Sequence, residues 1–431
     1  MLSALLSLEL TKGWVPGVIE WLGVVALLAL LFSRQWKRWL PIAAGAAAFG
    51  VAFGYLLCWL LGDVMDLFGV SLSPVTRGWF SGAVAAIAVA IARLVWWRGR
   101  RIAAIIASVL VFALAGGIGI NVDLGEFPTL RTALGIASYG TMQLPPFDPT
   151  AETISQFAGW KPTTVLPRNG RIGMTTIPAT TSHFRPRPAY IYLPPAALVA
   201  NAPRLPVLVM MSGQPGGPAD IFTSGDFGAS LNSYAKAHNG LGPIVVVPDQ
   251  LGARNSNPMC VNSALGNSAR YLTVDVPAWI RSHLNVLTDP SDWAVGGFSQ
   301  GGTCAIQLGA AQPGLFGNIF DIAGEVAPKN GNLQQTVDSG FGGSTAKYLA
   351  ATPLQLMQSH GPYENTFAIF VAGTLDARYA PGVKTIAASA ATAGMDVHLI
   401  MSNGTAHDWR TVQFAFTKSL PLLGQRWGFD G

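Results

Sequence analysis

The apolar positions of this chain follow two patterns. At the front they run together almost without interruption, at about residues 14–32, 40–61, 78–97 and 102–120. Each run has the ~20 residues that a helix needs to cross ~30 Å of hydrocarbon. Four in succession predict a membrane domain over residues 1–120. Further on the apolar runs shorten and alternate with helical stretches. Two alternating segments, 171–178 and 188–193, predict paired strands. Strands are then expected at 207–211, 244–247, up to Val295, 318–322, 367–371 and 397–401, and helices at 227–238, 269–284 and 384–393. Strands alternating with helices imply a mostly parallel sheet covered on both faces. Between the two patterns, residues 121–167 are polar and broken by Pro128, Pro145, Pro146, Pro149 and Pro162. They read as a juxtamembrane linker with one short helix near 130–139. Residues 168–431 then form the outer domain.

Charge adds an orientation. The turn after the first run holds Arg34, Lys37 and Arg38, and the turn after the third holds Arg93, Arg98, Arg100 and Arg101. The opposite side has Lys12 and Arg77 with Asp63 and Asp66. The positive-inside rule puts the basic turns in the cytoplasm, and the N-terminus and everything after residue 120 outside. Tryptophans 14, 21, 36, 39, 96 and 97 fall near the predicted span ends, where indoles favour the interface. Residues 1–120 carry nine basic and four acidic residues, whereas the remainder carries 18 of each. The pI near 9.2 thus reflects membrane topology, and no nucleic-acid surface is read from it. Half the chain is hydrophobic and 11% is charged, too apolar for an ordinary soluble enzyme. The first eleven residues lack a positive start and a cleavage site, so no signal peptide is expected. No charge is expected at mid-span, which argues for an anchor over an ion path. Gly50-Val-Ala-Phe-Gly54 has the spacing of a helix-packing motif, a spacing that also arises often by chance.

Candidate chemistry lies in the outer domain. The strand ending at Val295 runs into Gly297-Phe298-Ser299-Gln300-Gly301, the pattern G-x-S-x-G, and small residues open a helix behind it. A nucleophilic serine must project from a sharp strand-to-helix turn whose neighbours lack bulk, which Gly297 and Gly301 provide. Such a serine needs an imidazole to take its proton and a carboxylate to orient that imidazole. His407 follows the last expected strand in a loop, and Asp376 follows the strand before it. The order Ser299, Asp376, His407 is that of the α/β hydrolases. Asp321 and Glu325 are rival acids; Asp408 adjoins the base and is poorly placed to reach its far nitrogen. An oxyanion hole needs two N–H groups. Gln300 supplies one, and the loop Ser212-Gly213-Gln214-Pro215 supplies the other, with Gln214 favoured because Pro215 has no N–H. Cys260 and Cys304 would face an oxidising compartment, and a disulfide between them is expected. Cys58 lies inside the second span. No zinc-spaced Cys/His cluster and no phosphate-loop or dinucleotide fingerprint is found, so neither metal nor cofactor is expected.

These motifs carry a resemblance. Tyr190-Ile-Tyr-Leu-Pro-Pro195, Ile244-Val-Val-Val-Pro-Asp249, Tyr271-Leu-Thr-Val-Asp-Val-Pro277, Gly297-Phe-Ser-Gln-Gly301 and Gly404-Thr-Ala-His-Asp-Trp409 resemble the putative-esterase branch of the α/β hydrolases. That branch includes the mycobacterial mycolyltransferases and esterase-D-like enzymes. Four spans ahead of such a domain are similar to actinobacterial envelope esterases. The resemblance implies Ser299 as acyl acceptor and His407 as base. Two departures stand out: Asp376 where the mycolyltransferases use a glutamate, and Ser212-Gly213 where the family has His-Gly. Both weigh against mycolyl transfer more than against ester hydrolysis.

The expectation is therefore a membrane-anchored serine esterase, or an acyltransferase of the mycolyltransferase type. It would act on an acyl ester, lipid-linked or otherwise in the envelope, at the outer face of the cytoplasmic membrane. Its partners are that substrate and the bilayer, with no nucleic acid, and the oligomeric state is open. A serine peptidase is disfavoured because no propeller or cap domain precedes the hydrolase half. A catalytically silent scaffold is disfavoured by the complete candidate triad.

Overall fold

A computed structural model of the chain describes residues 2–96, 102–154, 157 and 160–429. The chain divides into two compact units, residues 1–138 with 408–410, and residues 139–407 with 411–431.

In the first unit four helices are long and apolar enough to cross a membrane: Trp14–Leu31, Trp36–Val64, Pro74–Trp96 and Ile102–Leu124. Trp97, expected at the end of the third run, and Arg98, Arg100 and Arg101, expected in the second basic turn, lie outside the described residues. A core of Leu30, Trp39, Ala43, Val89, Ala90, Ile105 and Phe112 holds these helices together. The glycine pair in the second span is a packing motif after all. A methyl on Gly50 would come within 2.5 Å of the Ala85 backbone, and one on Gly54 within 2.6 Å of Ser81, so the third span fits only against glycine there. No charge is expected at mid-span, and Glu20 departs from that; Arg93, expected in the turn after the third run, lies in the last turn of the third helix. Glu20 lies inside the first helix, and Arg93 is buried in the third, where its guanidinium covers the Trp39 ring at 4.5 Å and donates to the Phe32 carbonyl.

The second unit is built on an eight-stranded sheet. Its strands are β1 (Arg171–Thr175), β2 (Ala189–Leu193), β3 (Val207–Met211), β4 (Ile244–Val247), β5 (Trp293–Phe298), β6 (Asn318–Ile322), β7 (Phe367–Gly373) and β8 (Asp396–Ser402). Their order is β1-β2-β4-β3-β5-β6-β7-β8. β1 pairs antiparallel with β2, and β2 with β4; every later pairing is parallel. β3, β4, β5 and β6 are buried along their whole length. That matches the unbroken apolar sequences of β3, β4 and β5, because a parallel sheet covered on both faces has no solvent side; β6 buries Asn318 and Asp321 along with its apolar residues.

Several boundaries differ from the sequence reading. The expected helix at 130–139 is only Leu130–Ala133. Part of the expected linker belongs to the sheet unit: Met142 is buried and its N–H donates to Met174 O in β1, while the Met174 N–H donates to Gly140 O. The helix expected at 269–284 is interrupted by a π turn over Tyr271–Asp275 just ahead of Pro277, which has no N–H to continue a regular ladder. Helices Leu333–Phe341, Thr345–Ala350 and Pro353–His360 fill the stretch between β6 and β7. Each is capped at its N-terminus by a side chain, Asn332, Ser344 and Thr352 respectively. A last helix, Trp409–Arg426, closes the chain.

Candidate active site

Parallel strands direct their connections to one edge, and in open α/β sheets that edge carries the site. β5 delivers the serine. Ser299 has φ +57° and ψ −117°, a conformation that costs a non-glycine residue energy and must be held by its surroundings. Its N–H donates to Ile322 O in β6 at 2.8 Å. The flanking glycines are required by contact. A methyl on Gly297 would meet the Gly301 backbone at 2.3 Å, and one on Gly301 would meet Met211 O at 2.5 Å. The turn therefore closes only with hydrogen at both positions, and the serine side chain stands clear of it.

His407 and Asp376 come from the loops after β8 and β7. His407 Nε2 lies 2.8 Å from Ser299 Oγ, and His407 Nδ1 lies 3.0 Å from Asp376 Oδ2. Both side chains are nearly sealed, 4% and 0% exposed. The remaining Asp376 oxygen, Oδ1, accepts the Tyr379 N–H at 3.0 Å. A carboxylate satisfied on both oxygens can hold Nδ1–H, leaving Nε2 as the acceptor that faces the serine. Two rings brace the imidazole: Tyr379 at 4.1 Å and Phe298 at 4.9 Å between centroids.

The rival acids sit elsewhere. Asp321 lies within β6 beneath the elbow, wholly buried, and its Oδ1 accepts the Gly324 N–H at 2.8 Å. Desolvation pushes its carboxyl up to about 7. Glu325 is raised to about 7 by burial as well, against the lowering pull of Lys329 and Arg378. Neither carboxylate meets His407.

The two expected oxyanion segments flank the serine. Gln300 is the first residue of the elbow helix, so its N–H has no partner within that helix. The loop after β3 packs against the nucleophile: a methyl on Gly213 would stand 3.4 Å from Ser299 Cβ. Gln214 anchors that loop through its side chain, which donates to Asn255 O at 3.2 Å. Cys260 and Cys304 form a disulfide with 5.5 Å between their Cα atoms. It ties the loop after β4 to the elbow helix, and Cys304 Sγ accepts from Gln300 Nε2 at 3.2 Å. Sequence reasoning missed Tyr379, Phe298, Gln250 and Asn257. Tyr379 sits three places past Asp376, and Phe298 is inside the motif, but only the fold brings both rings onto His407.

The family model described as "Putative esterase" matches residues 181–422. The chain belongs to this esterase family. It is also similar to an uncharacterized protein of Corynebacterium glutamicum, 30% identical over 340 residues that make up 78% of this chain and 79% of the relative. Among solved structures, a ferulic acid esterase matches with a TM-score of 0.50 and 13% identity, over 60% of this chain and 98% of that one. An S-formylglutathione hydrolase from Agrobacterium tumefaciens matches with a TM-score of 0.50 and 17% identity, over 61% and 97%. At such identities the structural likeness speaks for the α/β-hydrolase fold of the second unit. The family membership makes this esterase-family chain a hydrolase, preceded by four candidate membrane spans.

Proposed function

We propose that this esterase-family protein is a membrane-anchored serine esterase that cleaves an acyl ester at the outer face of the cytoplasmic membrane. The observation that carries the reading is the unbroken line from Ser299 Oγ through His407 to Asp376, with separations of 2.8 and 3.0 Å. Ser299 Oγ attacks the ester carbonyl carbon as its proton passes to His407 Nε2. The carbonyl oxygen becomes an oxyanion, received by the N–H groups of Gln300 and of the Gly213–Gln214 segment. Collapse breaks the bond to the alcohol, which leaves with the proton from Nε2, and the acyl group stays on Ser299. A water then gives a proton to His407 and attacks the acyl-serine, releasing the acid and restoring the serine. An alcohol in place of that water would give acyl transfer, and Asp376 and Ser212-Gly213 weigh against the mycolyl version of it.

The site of action rests on charge and hydropathy. Four apolar helices precede the hydrolase unit, and basic residues favour the turns after the first and third. A hydrolase held at a bilayer meets membrane and envelope lipids at high effective concentration, which makes lipid-linked esters the substrate class of choice.

One experiment tests both parts. Intact cells expressing the chain are treated with a membrane-impermeant fluorophosphonate probe, with and without permeabilisation. Wild type should label without permeabilisation, and Ser299→Ala should not label at all. Equal labelling of the two proteins would sink the nucleophile, and labelling only after permeabilisation would reverse the topology.

A further inference from the structure

A run of buried side-chain amides passes behind the site. Gln250, just past β4, is wholly buried, and its Nε2 donates to Ser212 O at 2.6 Å and to Gln300 Oε1 at 3.0 Å. Gln300 Nε2 donates in turn to Asn257 Oδ1 at 3.1 Å. The same Asn257 oxygen accepts the Met259 N–H at 2.9 Å, and Asn257 Nδ2 donates to Lys329 O at 2.8 Å. Main-chain groups set the polarity of this run. A carbonyl at Ser212 demands the nitrogen of Gln250, and an N–H at Met259 demands the oxygen of Asn257, so no amide along it can be turned round.

Gln250 thus uses both hydrogens of one nitrogen on the two segments that flank the nucleophile. In a trans peptide the N–H points opposite to the C=O. Holding Ser212 O toward Gln250 therefore aims the Gly213 N–H away from Gln250 and sets the course of the chain into Gln214. The second hydrogen holds the side chain of Gln300, whose own N–H opens the elbow helix. Gln250 Oε1, meanwhile, has no partner among the described residues.

We propose that Gln250 is a positioning residue for acyl transfer, fixing the spacing of the two segments that supply the oxyanion hole. The inference rests on the esterase reading with Ser299 as nucleophile. Donors placed in advance stabilise charge that develops in the transition state more than they stabilise bound substrate. Gln250 should accordingly govern kcat and leave KM alone.

The test uses the full-length chain in detergent, with p-nitrophenyl butyrate as substrate and fluorophosphonate titration to count active serines. Gln250→Leu should lower kcat per titrated serine by roughly 10–100-fold, with KM within about twofold, since losing one oxyanion donor outright costs about 100–1,000-fold. A trifluoromethyl ketone, which forms a tetrahedral adduct, should bind more weakly by a similar factor. Gln250→Glu supplies a second readout if the leucine variant fails to fold. Its carboxyl can donate to one acceptor only while protonated, so its activity relative to wild type should rise as pH falls through the carboxyl titration. Unchanged kcat per titrated serine in Gln250→Leu, or a pH-independent ratio in Gln250→Glu, overturns the proposal while leaving the esterase reading intact. A wild-type protein that neither labels nor hydrolyses the ester overturns both.

Discussion

Tyr379 covers His407, with ring centroids 4.1 Å apart and planes inclined by 30°. The same residue's N–H donates to Asp376 Oδ1 at 3.0 Å, so it braces the imidazole through its ring and the carboxylate through its backbone. Removing the ring should loosen the first and spare the second. Ring contacts of this kind contribute ~0.5–1.5 kcal/mol. Tyr379→Ala should therefore reduce kcat/KM for ester hydrolysis by up to about tenfold, and Tyr379→Phe should stay near wild type. Steady-state kinetics on the three proteins decide it, and an alanine variant as active as wild type would remove the bracing role.

The disulfide should carry a large share of the hydrolase unit's stability. It joins cysteines 44 positions apart, and chain entropy then suggests about 3–4 kcal/mol. Reduction should lower the melting temperature by roughly 10 °C. It should also raise KM before kcat falls, as the loop carrying Asn257 and Cys260 loosens from the elbow helix. Cys260→Ser and Cys304→Ser should each reproduce these effects, and the double variant should be no worse than either. Thiol titration of denatured protein prepared without reductant should count Cys58 only; a count of all three cysteines would contradict the bond.

Asp321 should make stability fall as pH rises from its ordinary carboxyl value of 3.8 to about 7. Burial lifts its carboxyl from an ordinary value of 3.8 to about 7, so the folded state holds a proton that the unfolded chain has already released. Stability is full below the unfolded value and declines as pH rises toward about 7, then levels off. Asp321→Asn has no proton to lose; its amide can keep the Gly324 N–H as donor to its oxygen. The variant's melting temperature relative to wild type should be higher at pH 8 than at pH 5. A difference that does not change between those pH values would refute the assignment.

Much of this protein was legible in its sequence, for reasons that are local. A span reveals itself by the length of an apolar run, because the bilayer admits no water to satisfy a backbone. Val207–Met211 and Ile244–Val247 were legible as buried strands because a two-sided sheet demands continuous apolar residues. The elbow was legible because Gly297 and Gly301 answer a steric demand only a few residues wide. The order serine, acid, base follows from the order of the strands.

What the tertiary structure decided depends on residues far apart in the chain. Asp321 and Asp376 are both aspartates at strand ends, and only the folded sheet brings one to His407 Nδ1 and buries the other beneath the elbow. Gly50 and Gly54 looked like common membrane glycines until Ala85 and Ser81 closed against them. The disulfide needed a distance across 44 positions that no spacing rule supplies. Tyr379 on His407, and Gln250 between Ser212 and Gln300, carry no motif at all. Their roles arise because strands distant in sequence end side by side, and a contact's geometry is set by the packing of the whole sheet rather than by the residues next to it in the chain.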